Sequence, residues 1–264
     1  ALRLVATIAF LVLRPPLFWL PLLHSAAAIA FGVMTVVMIR RALRKKPLVE
    51  ADHTPRSQFR AVTAEAAPYI TSNMMYFLSA QAPLIIFGAL AGSKATAIYG
   101  VGALVLSTIY FVPQVATIRF LLMHYHKMVA ERPEVISRLY KLGTLAAAGA
   151  GALISVVGWL LAPLLIPLVF GRLYTDAIAI VAIMLLCVPL RFATVNIAAL
   201  LAANGEMWMK NKADIVGAVL SLIAFLVLVP LYAEKGGAIA AVLSEVFMLG
   251  AHVVLVLYLR RRAA

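Results

Sequence analysis

One cysteine in 264 residues, Cys187, leaves no disulfide to form, which excludes the stapled scaffolds of small secreted domains. Charge is scarce as well: 12% of the residues are Asp, Glu, Lys or Arg, against about a quarter in soluble domains. Acids are the scarcer sign, 10 against 23 basic residues. The sequence has no Walker motif, no glycine-rich phosphate loop and no zinc-protease motif, so nothing points to ATP-driven work by this chain itself. His124 and His126 stand without cysteine or acidic neighbours at metal-ligand spacing. Neither a metal nor a cofactor is expected, and no residue is assigned a catalytic role.

What the chain has is apolar surface. It is 64% hydrophobic with a mean hydropathy of +1.02, a surplus that needs hydrocarbon as solvent and excludes disorder. The net charge of +13 would suit nucleic acid, but the basic residues sit at the ends of apolar segments. Their excess is therefore a topology signal. Membrane lipids are an expected partner; nucleic acid is not.

A bilayer core takes about 20 helical residues to cross. By that ruler the sequence predicts an all-α polytopic membrane protein with about eight transmembrane helices. They cover 1–13 (short), 16–39, 66–91, 97–120, 143–169, 177–203, 213–232 and 237–259. Turn residues separate several of them: Ala91-Gly92-Ser93, Gly171-Arg172, Asn204-Gly205 and Glu234-Lys235-Gly236-Gly237. Pro68, Pro83 and Pro189 fall within spans, where neighbouring helices or cavity water must satisfy the freed backbone groups.

On this topology seventeen of the 23 basic residues lie on one side, four on the other and two, Arg3 and Arg191, within spans. The rich side is expected to be cytoplasmic, and with it the C-terminus. Trp19 and Trp159 fall toward the outer interface and Trp208 toward the inner one, as anchors do.

Residues 40–62 form a basic, proline-containing connector. It divides 1–39, read as the last two helices of a truncated N-terminal bundle, from 63–264, read as a complete six-helix C-terminal bundle. An internal echo supports the division. Ile8-Ala9-Phe10-Leu11-Val12-Leu13 recurs as Ile223-Ala224-Phe225-Leu226-Val227-Leu228. Each copy is followed by a proline, Pro15 or Pro230, by an alanine-rich helix, and by an arginine stop at Arg40-Arg41 or Arg260-Arg261-Arg262. Parallel repeats of this kind build two-bundle transporters. If the first two spans repeat the last two of a six-helix unit, four more precede them. The missing N-terminal helices of the same chain would then be partners of the bundle.

Three stretches carry a family resemblance: Ile98-Tyr99-Gly100, Phe170-Gly171-Arg172-Leu173-Tyr174-Thr175-Asp176-Ala177, and Gly236-Gly237-Ala238-Ile239-Ala240-Ala241-Val242-Leu243-Ser244-Glu245. With them the chain resembles the C-terminal two-thirds of a polysaccharide (O-antigen-type) lipid-linked oligosaccharide flippase, in the multidrug/oligosaccharidyl-lipid/polysaccharide exporter superfamily. The resemblance covers most of 60–260. It implies a bacterial inner-membrane transporter that flips an undecaprenyl-diphosphate-linked oligosaccharide between leaflets by alternating access, for surface polysaccharide such as lipopolysaccharide O-antigen. Many relatives place an acid before the end of the first helix of this bundle. Here that stretch reads Gln81-Ala82-Pro83-Leu84-Ile85-Ile86-Phe87-Gly88, and an ion-coupling role for that acid does not carry over.

Arg191 is the most informative side chain, about 21 Å along its span from Ala177 at 1.5 Å per residue. A lone arginine at that depth costs at least ~2.5–3.5 kcal/mol, so it must face a wet cavity or a partner. Its planar, always-charged donors match phosphate oxygens. The alternative is a structural ion pair, or a bond to carbonyls freed near Pro189. Glu245 lies about 12 Å into its own span, a mismatch of ~9 Å from Arg191. It reads either as that partner or as an independent protonatable group for ion coupling. Asn73, Gln81, Gln114 and Asn196 are amides within spans, fit to line a sugar cavity or to act as interhelical glue. Arg119 ends its helix where a diphosphate would enter, or where a positive-inside anchor belongs. Glu65 and Asp214 lie near helix starts, where a carboxylate complements the helix dipole. His24 and His252 read as interhelical hydrogen-bonders.

Other functions remain beside the flippase. The same fold serves multidrug or lipid II export. An intramembrane glycan acyltransferase would use His24 or His252. A polyprenyl-phosphate glycosyltransferase would want acidic metal ligands at the outer face, where Asp176 and Glu234 lie singly on different loops. A scaffold for a polysaccharide-export complex would need none of these.

Overall fold

A computed structural model of the chain describes residues 25–26, 29–35, 37–38, 41, 55–116, 121–131 and 138–263. The span at 1–13, the start of 16–39, the hexamer at 8–13, most of the 40–62 connector, His24, Arg119 and the side chain of Glu65 lie outside the described residues. The chain forms two compact units, Ala1–Ala61 and Val62–Ala264. In the first, the helical residues within 25–41 expose Ile29, Phe31, Met34 and Met38.

The described elements are helical throughout. They are α1 (Pro55–Leu90), α2 (Gly92–Ala116), α3 (Leu122–Glu131), α4 (Thr144–Phe170), α5 (Ala177–Met184), α6 (Cys187–Ala203) and α7 (Met207–Ala263), with a π-helical turn, Leu139–Gly143, leading into α4. Four stretches are long and apolar enough to cross a membrane: Gly92–Ala116, Leu139–Phe170, Ala177–Ala203 and Met207–Leu259. The outer faces of these helices remain apolar, as at Leu153, Leu160, Leu164 and Leu168 of α4. A soluble protein would not leave so much hydrocarbon uncovered. The chain is an all-α, multi-pass membrane protein.

Two expected spans differ in detail. The span 177–203 keeps its bounds as one membrane-crossing stretch, but it is interrupted: α5 ends at Met184, Leu185–Leu186 form a turn, and α6 starts at Cys187. Pro189 is the cause. It has no N–H to return to Leu185, four residues back, and it is tolerated in the first turn of α6, where donors have no intrahelical acceptor. The carbonyls this leaves open are taken up by α4. Ser155 Oγ donates to the Leu185 carbonyl at 2.7 Å, and Trp159 Nε1 donates to the Ala182 carbonyl at 2.6 Å. Gly151 lets α4 come this close, since a Cβ there would stand 2.7 Å from Pro189 Cα.

The second difference is in α7, whose 53-residue apolar part would run to about 80 Å if straight. It is two helices joined at Ala233, at φ 46° and ψ −127°. The Gly236-Gly237 pair, expected as part of the turn, is helical instead. Its smallness serves packing: a Cβ on Gly237 would enter the rings of Phe87 and Tyr99, which stack with centroids 4.2 Å apart. Tyr99 meets Phe225 edge-on at 6.1 Å. Around these rings the core gathers Ile180, Met184, Leu185, Val188 and Val229, drawn from α5, the turn after it, α6 and α7.

Candidate functional site

Three helices bring charge together in the interior. Tyr110 comes from α2, Arg191 from α6 and Glu245 from the second arm of α7. Arg191 Nη1 stands 3.9 Å from Glu245 Oε2, with 20% and 12% of the two side chains exposed. The Tyr110 hydroxyl donates to Glu245 Oε1 at 3.2 Å. The Arg191 guanidinium lies 5.4 Å from the centroid of the Tyr110 ring, within cation–π range. Among the described residues, Glu245 Oε2 accepts no hydrogen bond, so charge attraction holds it to Arg191.

The mismatch in depth expected between these two residues shrinks. The second arm of α7 starts after the Ala233 kink, three residues before Gly237, which places Glu245 about 16 Å into its helix rather than 12 Å. The remaining ~5 Å is within reach of an extended arginine.

The amides are not gathered with Arg191. Asn196 is buried, accepts from the Tyr125 hydroxyl at 2.6 Å, and donates to Thr144 Oγ1 at 3.1 Å. It ties α3, α4 and α6 together at one end of the bundle as interhelical glue does. Tyr125 lies outside the membrane-spanning stretches, and burial raises its phenol above the usual 10.0. Asn73, Gln81 and Gln114 are exposed on the flanks of α1 and α2.

A second cluster escaped the sequence reading, which took its members one at a time. Lys210 Nζ donates to Asp214 Oδ2 at 2.6 Å and to Ser72 Oγ of α1 at 2.7 Å. Asp214 Oδ1 faces His252 Nε2 at 3.4 Å, and the His252 ring is fully buried. Beside them Asn211 Nδ2 donates to the Pro68 carbonyl at 2.6 Å, one of the acceptors near a proline of α1. Asp214 is thus the counter-ion of a part-buried cluster around a fully buried histidine ring, beyond any dipole role at a helix start. The i, i+4 spacing of Lys210 and Asp214 was the available signal; the contribution of His252, 38 positions later, needed the fold of α7.

At the other end of the bundle, Asp176 and Glu234 are not isolated from each other. Both line a shallow cleft of about 500 Å³ with Thr175 and Lys235. Among the described residues, no group of three or more His, Cys, Asp or Glu side chains has the arrangement of a metal site. Comparison with protein-family models, with curated proteins and with solved structures finds no significant match to this chain.

Proposed function

We propose that this protein is a membrane transporter of the lipid-linked oligosaccharide exporter type, and that Arg191 contacts the diphosphate of an anionic lipid-linked substrate. The carrying observation is the Arg191–Glu245–Tyr110 constellation inside membrane-spanning helices. An intramembrane charge is functional by default because its insertion cost must be offset. A pair held at 3.9 Å with no hydrogen bond on Glu245 Oε2 is one that a phosphate oxygen can displace. Bidentate donation to phosphate is stronger than such a contact. Glu245, once displaced, keeps its bond from Tyr110 and is favoured to take a proton at Oε2, so anion entry and carboxylate protonation are linked.

The sequence supplies the rest of the support. The resemblance of the three quoted stretches points to an undecaprenyl-diphosphate-linked oligosaccharide, moved from the inner to the outer leaflet of a bacterial inner membrane. The basic bias points to a cytoplasmic C-terminus. A buried cation favours an anionic lipid over a cationic drug. The fully buried His252 ring, held between Asp214 and Met248, supports transport over acyl transfer, which needs an imidazole open to substrate.

The test is flipping of a fluorescent polyprenyl-diphosphate oligosaccharide in proteoliposomes containing the full-length protein, read by its accessibility to an added glycosidase. Arg191→Gln is expected to lower the rate at least about tenfold, as loss of one charge-assisted phosphate contact implies. Arg191→Lys is expected to retain part of it. Wild-type flipping in a correctly inserted Arg191→Gln protein would sink the proposal.

A further inference from the structure

The second charge cluster has a feature that ordinary interhelical glue lacks. His252 Nδ1 is 2.9 Å from the Met248 carbonyl. A carbonyl can only accept, so Nδ1 carries the hydrogen and the neutral ring presents a lone pair at Nε2. That lone pair faces Asp214 Oδ1, itself an acceptor, at 3.4 Å. Two acceptors oppose each other, one on a fully buried ring and the other on a carboxylate that is 15% exposed. Among the described residues, Nε2 has no hydrogen-bond partner at all. Leaving a buried polar atom unpaired is costly, and a single added proton removes the conflict.

From this geometry we infer that His252, Asp214 and Lys210 form a proton-binding site, in which one proton taken from water is held between His252 Nε2 and Asp214 Oδ1. Uptake changes the cluster from one cation and one anion to two cations and one anion, a unit step of charge inside apolar helices. The groups acting on the ring are Asp214 and Lys210 from the first arm of α7, Arg191 from α6, and the Met248 carbonyl from its own arm. Burial of the ring opposes the proton most, and Lys210 and Arg191 add to that; Asp214 and the Met248 carbonyl favour it. Lys210 also holds Ser72 of α1, so a proton that draws Asp214 toward His252 weakens the grip of Lys210 on that carboxylate and frees it toward α1. The site is separate from Glu245, and the inference stands whether or not the protein flips a lipid-linked glycan.

The experiment is ¹⁵N-histidine solid-state NMR of the full-length protein in lipid bilayers, titrated from about pH 9 to about pH 3, from above the ordinary histidine range to well below it. His252 is assigned by difference from His252→Gln. The expected spectrum shows Nδ1–H with a bare Nε2 at high pH, and protonation of Nε2 on acidification. Asp214→Asn is expected to lower the half-protonation pH by about 1–3 units, the usual effect of removing an adjacent opposite charge. Lys210→Met is expected to raise it. If the ring carries its hydrogen on Nε2 at high pH, never titrates, or titrates unchanged in Asp214→Asn, the inference fails. The wild-type titration decides the first two outcomes even if a variant does not fold. A parallel flipping assay keeps this result distinct from that of the transport proposal: a titrating His252 with no flipping leaves the proton site intact.

Discussion

Replacing Ser155 by alanine removes the hydroxyl that caps the Leu185 carbonyl at 2.7 Å and tests why 177–203 breaks into two helices. Ser155 is buried, as is Leu185, so no water stands ready to take over. The Leu185 carbonyl keeps only the Val188 N–H at 3.1 Å. Side-chain hydrogen bonds between membrane helices average about 0.6 kcal/mol and reach about 1.7 kcal/mol. This one serves a carbonyl with no regular helical partner, so its loss is expected in the upper half of that range.

The decisive variant is the pair. Pro189→Ala restores an N–H four residues beyond Leu185, at the position from which a helix would donate to that carbonyl. In that background Ser155 becomes redundant, and Ser155→Ala is expected to cost about 0.3 kcal/mol or less, within ordinary additivity error. Equilibrium unfolding in detergent gives all four stabilities. Trp159 fluorescence is the probe, because its indole donates across the same break; Trp19 and Trp208 are replaced by phenylalanine to isolate it. Equal costs of Ser155→Ala with and without Pro189 would refute the account of the break, and so would no cost in either.

Gly151→Val drives a branched side chain into the backbone at Pro189, where even a Cβ would lie at 2.7 Å. It is expected to destabilise by about 1–3 kcal/mol, the range for overpacking, in the same unfolding assay. Trp159→Phe removes the donor to Ala182 while keeping an aromatic ring, with an expected cost of about 0.6–1.7 kcal/mol, read by circular dichroism because the fluorescent probe is gone. Tyr125→Phe should alter the alkaline limb of stability. The folded state keeps the phenol proton above 10.0, whereas the unfolded chain releases it, so stability falls as pH rises past that value. Phenylalanine abolishes that part of the slope, as unfolding at about pH 9 and about pH 11 would show.

Helix content and most turns were legible because each rests on local chemistry. Gly92, Gly171 and Gly205 all take positive φ, at 78°, 89° and 80°, at three of the four turns the sequence marked. The fourth turn was displaced to Ala233, because Gly236 and Gly237 are required for close packing against Leu228, Phe87 and Tyr99. A glycine signals either a turn or a close approach, and one sequence does not distinguish the two. The same ambiguity explains Pro189: the proline was visible, but the serine and tryptophan that repair it lie about 30 positions away on α4. Arg191 was singled out from its depth alone. Its pairing with Glu245 was one of two readings, and the mismatch came from counting depth from Gly237 rather than from the start of the arm after Ala233.

Seven residues separate Glu245 from His252, almost two full helical turns, so the two side chains point nearly the same way from the second arm of α7. Glu245 reaches Arg191 and Tyr110; His252 reaches Asp214 across the kink on the first arm. One helix thus carries a carboxylate that faces a cation and an imidazole that faces a carboxylate on a single stripe, with Met248 between them against Gly217. About 10 Å of unbroken helix joins them, so a rigid shift of this arm moves both. Coupling between distant sites requires an element with two arrangements that both sites bias. In this molecule the α7 arm beyond Ala233 is the element that carries a residue of each site.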